Sequence, residues 1–424
     1  GGGGVSVRGG GFASRIARRG GVVVMERATR RVATLASQLS ANYPQGEAPQ
    51  GGSGLTLRAD ATGPVVVIGG MVLDVQGVPA PGRPLAAGTT VPGTIRHAAG
   101  GVGRNIAECV AALTGGKAPP PLLISAVGDD PAGHFLRNHL RSLGMPDRGI
   151  RHSALSTPCV AVVFDETGEV GAAVADVAAL EAPGEAEAHR AWIRSFTSDI
   201  AAAALVVVDA NLDEATIGAV AEMASSAGVP VWFEPVSVAK AARAAGCLRH
   251  LAIVSPNQAE LRAMALAAGF PELHGAGAEG KAGETGREFE AQLHALAPYA
   301  GWLLGRGVGA VVLTLGAAGA AVLTAAPGVG VEAHLVAALP ARVVSLTGAG
   351  DSLVAGCVAA MALGGGAVSL LAALVTGMAA AKMAVESELN VATELRDGAA
   401  VAALTKNAGG RKLLLPLPAT PRHS

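Results

Sequence analysis

Aromatic residues are scarce in this 424-residue chain, where phenylalanine, tryptophan and tyrosine together make up only 3% of the sequence. Few side chains are therefore available to stack on a nucleobase. A net charge is also nearly absent, because 32 basic residues balance 33 acidic ones. The chain as a whole carries no field that would gather nucleic acid or an anionic membrane surface. These two absences favour a small-molecule ligand and argue against nucleic-acid and membrane partners.

Cysteines are few and form no recognisable motif. Cys109, Cys159, Cys247 and Cys357 stand far apart without a C-x-x-C pair, which argues against a zinc site or a disulfide framework. We interpret them as reduced, mostly buried thiols.

Uninterrupted apolar runs of membrane-spanning length are lacking as well. Residues 367–385 come nearest in length, but they contain Ser369, Thr376 and Lys382 among many small alanines. We interpret this stretch as a helix packed inside an α/β protein. Half of the sequence is hydrophobic and the 59 glycines follow no three-residue period, so we expect a globular chain of one large domain or two.

The first 60 residues differ from the rest of the chain. Residues 1–31 hold seven arginines and only one acid, Glu26, a composition typical of targeting segments. We therefore expect residues 1–60 to be a targeting segment and flexible linker, with Met25 as an alternative start. Residues 31–39, Arg-Val-Ala-Thr-Leu-Ala-Ser-Gln-Leu, resemble the N-terminal peroxisomal nonapeptide. This predicts a peroxisomal location, with mitochondrion, plastid or cytoplasm as alternatives.

Residues 61–424 show alternating strand and helix patterns. Short runs rich in Val, Ile and Leu, as in buried parallel strands, occupy 65–68, 121–127, 204–209, 229–233, 251–254 and 310–315. Helix-like stretches lie between them, for example at 104–114, 133–143, 214–226 and 258–268. The alternation predicts an α/β fold with a mostly parallel central sheet and helices on both faces.

Two segments interrupt this alternation. Residues at about 72–98 and 159–176, the second with a hairpin-like Glu166-Thr-Gly168, read as antiparallel strands standing off the main sheet, as a small β lid would. Residues at about 274–286 are rich in Gly, Ala and Glu, and we interpret them as a mobile surface insertion without chemistry.

The strongest local signal is Ser345-Leu-Thr-Gly-Ala-Gly-Asp351, which follows apolar strands and opens an apolar helix. The amides of Gly348, Ala349 and Gly350 converge at a helix N-terminus, which favours an anion. Asp351 can accept the proton of an attacking hydroxyl while these amides stabilise a transferring phosphoryl group. By itself, the segment is equally compatible with an aspartate N-cap after a glycine turn.

Three further motifs accompany this segment. They are Gly100-Gly-Val-Gly-Arg-Asn105, Ser255-Pro-Asn257-Gln-Ala-Glu260 and Leu313-Thr-Leu-Gly316-Ala-Ala-Gly319. In order and approximate spacing, the four motifs resemble the ribokinase-like, or PfkB, family of sugar and nucleoside kinases, over residues 64–395. The resemblance implies a ribokinase-like fold, ATP as the phosphoryl donor and Mg²⁺ as the accompanying cation.

The resemblance also implies a role for each matching residue. Asp351 would be the catalytic base beside an anion hole made by Gly348, Ala349 and Gly350. The acceptor would be bound by Asp74, Gly100, Gly101 and Asn105. The nucleotide would be lined by Thr314, Gly316 and Gly319, and magnesium and its waters would be organised by Asn257 and Glu260. Lys240 would meet the nucleotide phosphates or pair with a nearby acid.

One departure concerns a monovalent cation. Many relatives have Asp-Thr where this chain has Ser345-Leu346, so the acidic ligand that often helps to bind that cation is missing. Dependence on potassium is therefore in doubt.

Four sequence segments bear on the identity of the acceptor. They are Gly100 to Glu108, Ala175-Asp176, Asp209-Ala-Asn-Leu212, and Trp232-Phe-Glu-Pro-Val-Ser237 with Lys240. Together they resemble the family branch that phosphorylates pseudouridine. Each segment also has a purely structural explanation. Arg104 and Glu108 have the i,i+4 spacing of an ordinary helix pair, and strand ends often carry polar residues.

The resemblance therefore implies an ATP-dependent kinase of the 5′-hydroxyl of pseudouridine. The alternatives are another sugar or nucleoside kinase of the family, such as a ribokinase or adenosine kinase, and a non-catalytic binding protein. We expect the glycosidase that cleaves the product to be a separate chain, because some 60 residues before Pro64 cannot hold it. Whether the lid mediates a homodimer stays open at this point.

Overall fold

The computed structural model describes residues 63–86, 88–165, 170–271, 286–364, 368–405 and 410–417. The expected targeting segment with its nonapeptide, the hairpin-like residues 166–168 and nearly all of the expected insertion at 274–286 lie outside the described residues. Within the described part of the chain, no helix is long and apolar enough to cross a membrane.

The strands of the described residues follow in chain order. They are β1 (Val65–Ile68), β2 (Val72–Pro79), β3 (Gly93–Gly100), β4 (Leu122–Gly128), β5 (Ile150–Ser153), β6 (Cys159–Phe164), β7 (Val170–Asp176), β8 (Leu205–Asp209), β9 (Val231–Glu234), β10 (Ile253–Val254), β11 (Ala310–Thr314), β12 (Ala320–Ala326), β13 (Gly330–Val336) and β14 (Gly410–Pro416).

The α-helices fill the connections between strands. They are α1 (Val102–Thr114), α2 (Pro131–Ser142), α3 (Ala178–Glu181), α4 (Pro183–Arg194), α5 (Thr197–Ala202), α6 (Glu214–Ser226), α7 (Val238–Ala241), α8 (Gln258–Ala267), α9 (Gly286–Leu304), α10 (Ala349–Gly364), α11 (Leu370–Val385) and α12 (Gly398–Thr405).

Ten strands form the main sheet in the order β14-β13-β12-β11-β10-β9-β8-β1-β4-β5. From β11 to β5 every neighbouring pair is parallel, whereas β12, β13 and β14 add an antiparallel edge. Strands β1, β4 and β8 are buried along their whole length because helices cover both faces. The expected mostly parallel α/β sheet is thereby confirmed.

Alternate residues of β1 supply two separate cores. Val66 and Ile68 join one apolar cluster, to which α4, α6, α8 and α9 contribute, while Val65 and Val67 join the other, to which α1, α2, α10 and α11 contribute. This is the period-2 alternation of a strand buried on both faces. The helices therefore lie on both faces of the sheet.

Four strands form a separate small sheet in the order β3-β2-β6-β7. The hairpins β2-β3 and β6-β7 are antiparallel, but their inner strands β2 and β6 pair in parallel. The expected antiparallel strands thus meet through one parallel pair, because β2 and β6 each begin close to the main sheet and run in the same direction away from it.

The fold gathers polar residues at one edge of the main sheet. Gly69-Gly70 follow β1, and Asp209, Glu234 and Thr314 end β8, β9 and β11. The carboxyl ends of parallel strands meet at the same edge, which is where open α/β sheets bind ligands.

Candidate active site

The glycine-rich turn before α10 adopts a backbone that requires glycine. Gly348 has φ 76°, and a methyl group there would overlap the carbonyl oxygen of Asn390. Gly350 faces open space, with no atom near the position of an added methyl group. Ala349 begins α10, and its amide donates a long hydrogen bond of 3.4 Å to the Leu346 carbonyl. The expected anion hole therefore consists of Gly348, directly before α10, and of Ala349 and Gly350, the first two residues of α10, followed by Asp351.

Asp351 lies in the first turn of α10 and is only partly buried. Its Oδ2 accepts a hydrogen bond of 2.6 Å from the Nδ2 of Asn105 on α1. Burial, together with the charges of Asp209 and Asp74, raises the pKa of Asp351 to about 6, against the opposing effects of the Asn105 hydrogen bond and the Arg104 charge. Such a carboxylate is ionised at neutral pH yet has an increased affinity for a proton, as a general base needs.

Asp74 lies on β2 of the small sheet, facing the same region. Its Oδ2 accepts a hydrogen bond of 2.8 Å from the side-chain amide of Asn390, which also donates to the Ala99 carbonyl at 3.0 Å. Burial raises the pKa of Asp74, against the opposing effects of the Asn390 hydrogen bond and the Arg104 charge. A methyl group at Gly100 would overlap the Asp74 carboxylate, so glycine is needed beside it.

Gly101 connects the small sheet to α1. It has φ 91°, and a methyl group there would approach the carbonyl of Gly70. The structure thus links the expected acceptor residues: Gly100 adjoins Asp74, the Gly101 carbonyl accepts a hydrogen bond from the Asn105 amide, and the Asn105 side chain donates to Asp351.

Asp209 connects the glycine-containing loop after β1 to the start of α1 through hydrogen bonds. It is fully buried at the end of β8, and its Oδ2 accepts from the amides of Gly70 and Gly103, both at 2.8 Å. Its Oδ1 accepts from the Asn211 amide at 2.8 Å. Burial raises the pKa of Asp209, and these hydrogen bonds oppose the rise. In the sequence, Asp209 is part of one of the four segments that bear on the acceptor, with a polar strand end as the alternative. The structure makes it the common acceptor for the loop after β1 and the first turn of α1.

Asn257 and Glu260 form a capping box at the start of α8. The Asn257 side chain accepts from the Glu260 amide and the Glu260 side chain accepts from the Asn257 amide, each at 2.9 Å. Burial raises the pKa of Glu260 against these hydrogen bonds. Burial also raises the pKa of Glu234 well above its ordinary value, with contributions from the charges of Asp351 and Glu260.

The side-chain oxygens of Asn257 and Glu260 suit a hard cation that the protein binds through only a few ligands. No cluster of three His, Cys, Asp or Glu side chains close enough to enclose a metal occurs among the described residues. Mg²⁺ does not require one, since it is commonly held by one or two carboxylates together with substrate phosphates. The oxygen donors of Glu260 and Asn257 match that preference.

Among the residues expected to bind the nucleotide, Lys240 makes different contacts from the other three. Thr314 ends β11 and bridges to Asn257, while Gly316 and Gly319 form the turn into β12 with φ values of 59° and 112°. Lys240 instead donates to the Asn211 side chain at 2.8 Å and forms an ion pair with Glu181 at 2.6 Å. Of the two roles that the sequence left open for Lys240, the structure shows the pairing with an acid.

Asn390 was missed by the sequence reasoning. It follows α11 in a loop without a recognised motif, yet it contacts Asp74 through its side chain and packs against Gly348 through its backbone. Glu388 in the same loop forms an ion pair with Arg96 of β3 at 3.1 Å. This loop joins the expected acceptor site to the expected anion hole, and no local signal in the sequence identifies it.

Comparison with known proteins gives consistent results. The pattern of the pfkB family carbohydrate kinases matches residues 64–395. The pseudouridine kinase of Arabidopsis thaliana is 36% identical over 370 residues, which cover 78% of this chain and 93% of that protein. The pseudouridine kinase of Escherichia coli (strain K12) is 28% identical over 293 residues, which cover 69% of this chain and 82% of that protein.

A solved structure supports the fold. The ribokinase of Arabidopsis thaliana, complexed with ribose and ATP, superposes with a TM-score of 0.58 at 22% identity, covering 81% of this chain and 99% of the ribokinase. The architecture is therefore ribokinase-like.

Proposed function

This chain belongs to the pfkB family of carbohydrate kinases, enzymes that transfer a phosphoryl group to a hydroxyl, and we propose that its acceptor is pseudouridine and its donor ATP. The product would be pseudouridine 5′-phosphate. The observation that carries this proposal is the similarity to two proteins named pseudouridine kinase, one of which is matched over 93% of its length.

The site geometry suits such a transfer. In the proposed reaction the 5′-oxygen of the nucleoside bonds to the γ-phosphorus of ATP, the bond from that phosphorus to the β,γ-bridging oxygen breaks, and ADP leaves. Asp351 takes the proton of the 5′-hydroxyl, for which its pKa of about 6 is suitable. The turn of Gly348, Ala349 and Gly350 offers backbone amides and a helix N-terminus to the transferring group.

The remaining residues would hold the two substrates. Asp74 would accept hydrogen bonds from sugar hydroxyls, and Gly100, Gly101 and Asn105 would line the same site. Thr314, Gly316 and Gly319 would line the nucleotide. To contact the phosphates, Lys240 would have to give up its ion pair with Glu181.

Magnesium, when bound, would neutralise charge on the phosphates. Asn257 and Glu260 would hold it and its waters, in keeping with the oxygen atoms that their side chains offer. The proposed reaction includes no monovalent cation, because Ser345 stands where many relatives have the acid that helps to bind one. A glycosidase on a separate chain would consume the phosphorylated product.

A panel of acceptors tests the proposal. Product formation from ATP and Mg²⁺ is measured by mass with pseudouridine, uridine, adenosine, ribose and fructose in parallel. We expect pseudouridine to give the highest kcat/KM. Asp351→Asn is the matched control: it should lower kcat by about 10² to 10⁴-fold while ATP binding, measured by calorimetry, stays within about 2-fold of wild type.

The other outcomes are distinct. Preference for another acceptor would keep the family's chemistry and reject pseudouridine. No turnover with any acceptor by a protein that binds ATP would reject the substrate assignment and favour a binding role.

A further inference from the structure

Arg104 on α1 is almost completely buried, with only 2% of its surface exposed. Its Nε donates to the Gly100 carbonyl at 3.3 Å, and its two terminal nitrogens donate to the Ala99 carbonyl, the Glu108 carboxylate and the Oδ1 of Asn105. Burying a guanidinium is costly unless its donors are satisfied. An i,i+4 helix pair with Glu108 could form equally well on the surface, so burial at this position calls for a further explanation.

The contact with Asn105 supplies that explanation. A carboxamide has one accepting end and one donating end, and Arg104 occupies the accepting oxygen. The Nδ2 is thereby directed at Asp351, to which it donates at 2.6 Å. Because the guanidinium has no acceptor atom, it cannot bond to the Asn105 side chain in the reversed orientation.

We propose that Arg104 is a positioning residue for phosphoryl transfer, which locks the Asn105 amide so that only its N–H group faces Asp351 throughout the reaction. The inference rests on the proposed role of Asp351 as the base. Once Asp351 has taken a proton, an unrestrained amide would turn and accept a hydrogen bond from the carboxylic acid, which would retain the proton. A locked amide favours the carboxylate, so the base returns to its active form.

The structure also fixes Arg104 itself. Glu108 accepts a hydrogen bond from the guanidinium and lies 2.8 Å from the Nε2 of His139 on α2. Burial alone would raise the pKa of Glu108, but the hydrogen bond from His139 and the charge of Arg104 lower it overall, so Glu108 stays ionised and balances the arginine. A continuous polar chain thus runs from α2 through Glu108, Arg104 and Asn105 to Asp351.

A double-mutant cycle tests the proposal. Arg104→Lys keeps the positive charge but loses the planar fork that binds Glu108 and Asn105 together. It is compared with Asn105→Ala and with the double variant. The control is Arg137→Lys, because Arg137 on α2 is also mostly buried and its guanidinium bridges Asp147 and the Ile150 carbonyl.

We expect Arg104→Lys to lower kcat by about 10-fold or more, with the acceptor KM changed less than about 3-fold. Arg137→Lys should keep the kcat of the wild type. The double variant should lose no more kcat than Asn105→Ala alone, because Arg104 acts through Asn105. A wild-type kcat in Arg104→Lys, or losses that multiply in the double variant, would overturn the proposal.

A second readout requires no turnover. The side-chain amide of Asn105 is assigned in ¹H–¹⁵N spectra by its loss in Asn105→Ala, and solvent exchange of its Nδ2 protons is compared between wild type and Arg104→Lys. We expect exchange to be about 10-fold faster in the variant; equal rates would reject the locking role. If the wild type phosphorylates none of the acceptors, the proposed function fails while this measurement still tests Arg104. If it prefers another acceptor, the cycle is run with that one.

Discussion

Two carboxylates of the site, Asp351 and Asp74, are each oriented by an asparagine. Asn105 donates to Asp351 at 2.6 Å and Asn390 donates to Asp74 at 2.8 Å. A carboxamide carries no charge of its own, so it fixes the direction of a carboxylate while lowering the pKa of that carboxylate less than a cation bonded to it would. This arrangement would let the proposed base, Asp351, be held in a fixed direction and still keep a raised affinity for a proton.

The pH dependence of catalysis tests the base. Since Asp351 must be ionised and its pKa is raised to about 6, kcat/KM should fall as the pH drops through about 6. Asn105→Ala removes a hydrogen bond that lowers the pKa of Asp351, so the acid limb should move to higher pH. Asn138→Ala, at an exposed asparagine of α2, should leave the limb in place. An acid limb at the same pH in wild type and Asn105→Ala would refute the assignment.

The contact between Asn390 and Asp74 predicts a binding defect. Asn390→Ala should raise the acceptor KM by about 10-fold, because Asp74 loses the group that orients it, while the KM for ATP changes less than about 2-fold. Steady-state kinetics with each substrate varied in turn would measure this. Asn138→Ala serves again as the control, and an unchanged acceptor KM in Asn390→Ala would exclude Asp74 from the acceptor site.

At the scale of elements, two helices support the glycine-rich turn before Asp351. Helices α10 and α11 approach closely at Gly356 and Gly377, where a methyl group on Gly356 would lie 2.7 Å from the Gly377 Cα. The loop that follows α11 then places the Asn390 backbone against Gly348. The turn is therefore held in shape by a neighbouring helix as well as by its own glycines.

Two glycines of this turn should respond differently to alanine. Gly348→Ala should lower the free energy of unfolding by about 1–2 kcal/mol or more, because Gly348 has φ 76° and no space for a methyl group. Gly350→Ala lies in a helical turn facing open space and should leave it within about 1 kcal/mol of wild type. Urea denaturation of both variants measures the difference, and equal stabilities would contradict the positive φ at Gly348.

At the scale of the whole molecule, the small sheet has two unlike faces. Asp74 pairs with Ala98 and Val160, and these side chains share one face. The opposite face carries exposed apolar side chains, including Ile95 at 68% and Val174 at 73% exposure. Apolar side chains clustered on a sheet surface indicate an interaction site, and we propose that a second copy of the chain covers this face in a symmetric dimer.

The oligomeric state tests this proposal directly. Sedimentation velocity should show a dimer for the wild type and a monomer for the double variant Ile95→Lys, Val174→Lys, because two lysines per chain would be buried without partners. Val329→Lys, at an exposed valine in the turn between β12 and β13, should remain dimeric. A monomeric wild type, or a dimer that survives the double change, would reject the interface.

Local patterns in the sequence determined the elements and the order of the site motifs. The run at 65–68 coincides with β1, and the glycine-rich segment before Asp351 opens α10 as predicted. Both features depend on neighbours along the chain, namely apolar periodicity and the glycine needed at a positive φ. The family resemblance over 64–395 arose from the same local motifs.

Contacts between distant parts of the chain follow from the tertiary structure and could not be predicted from the sequence. Asn390 donates a hydrogen bond to Asp74, 316 positions earlier in the chain, and Lys240 forms an ion pair with Glu181 on a different helix. The sequence indicated Arg104 and Glu108 as a helix pair, but the carbonyls that surround the guanidinium come from the end of β3. Such partners depend on how loops and sheets pack in three dimensions, because a buried polar group bonds to whatever acceptor the fold brings within reach.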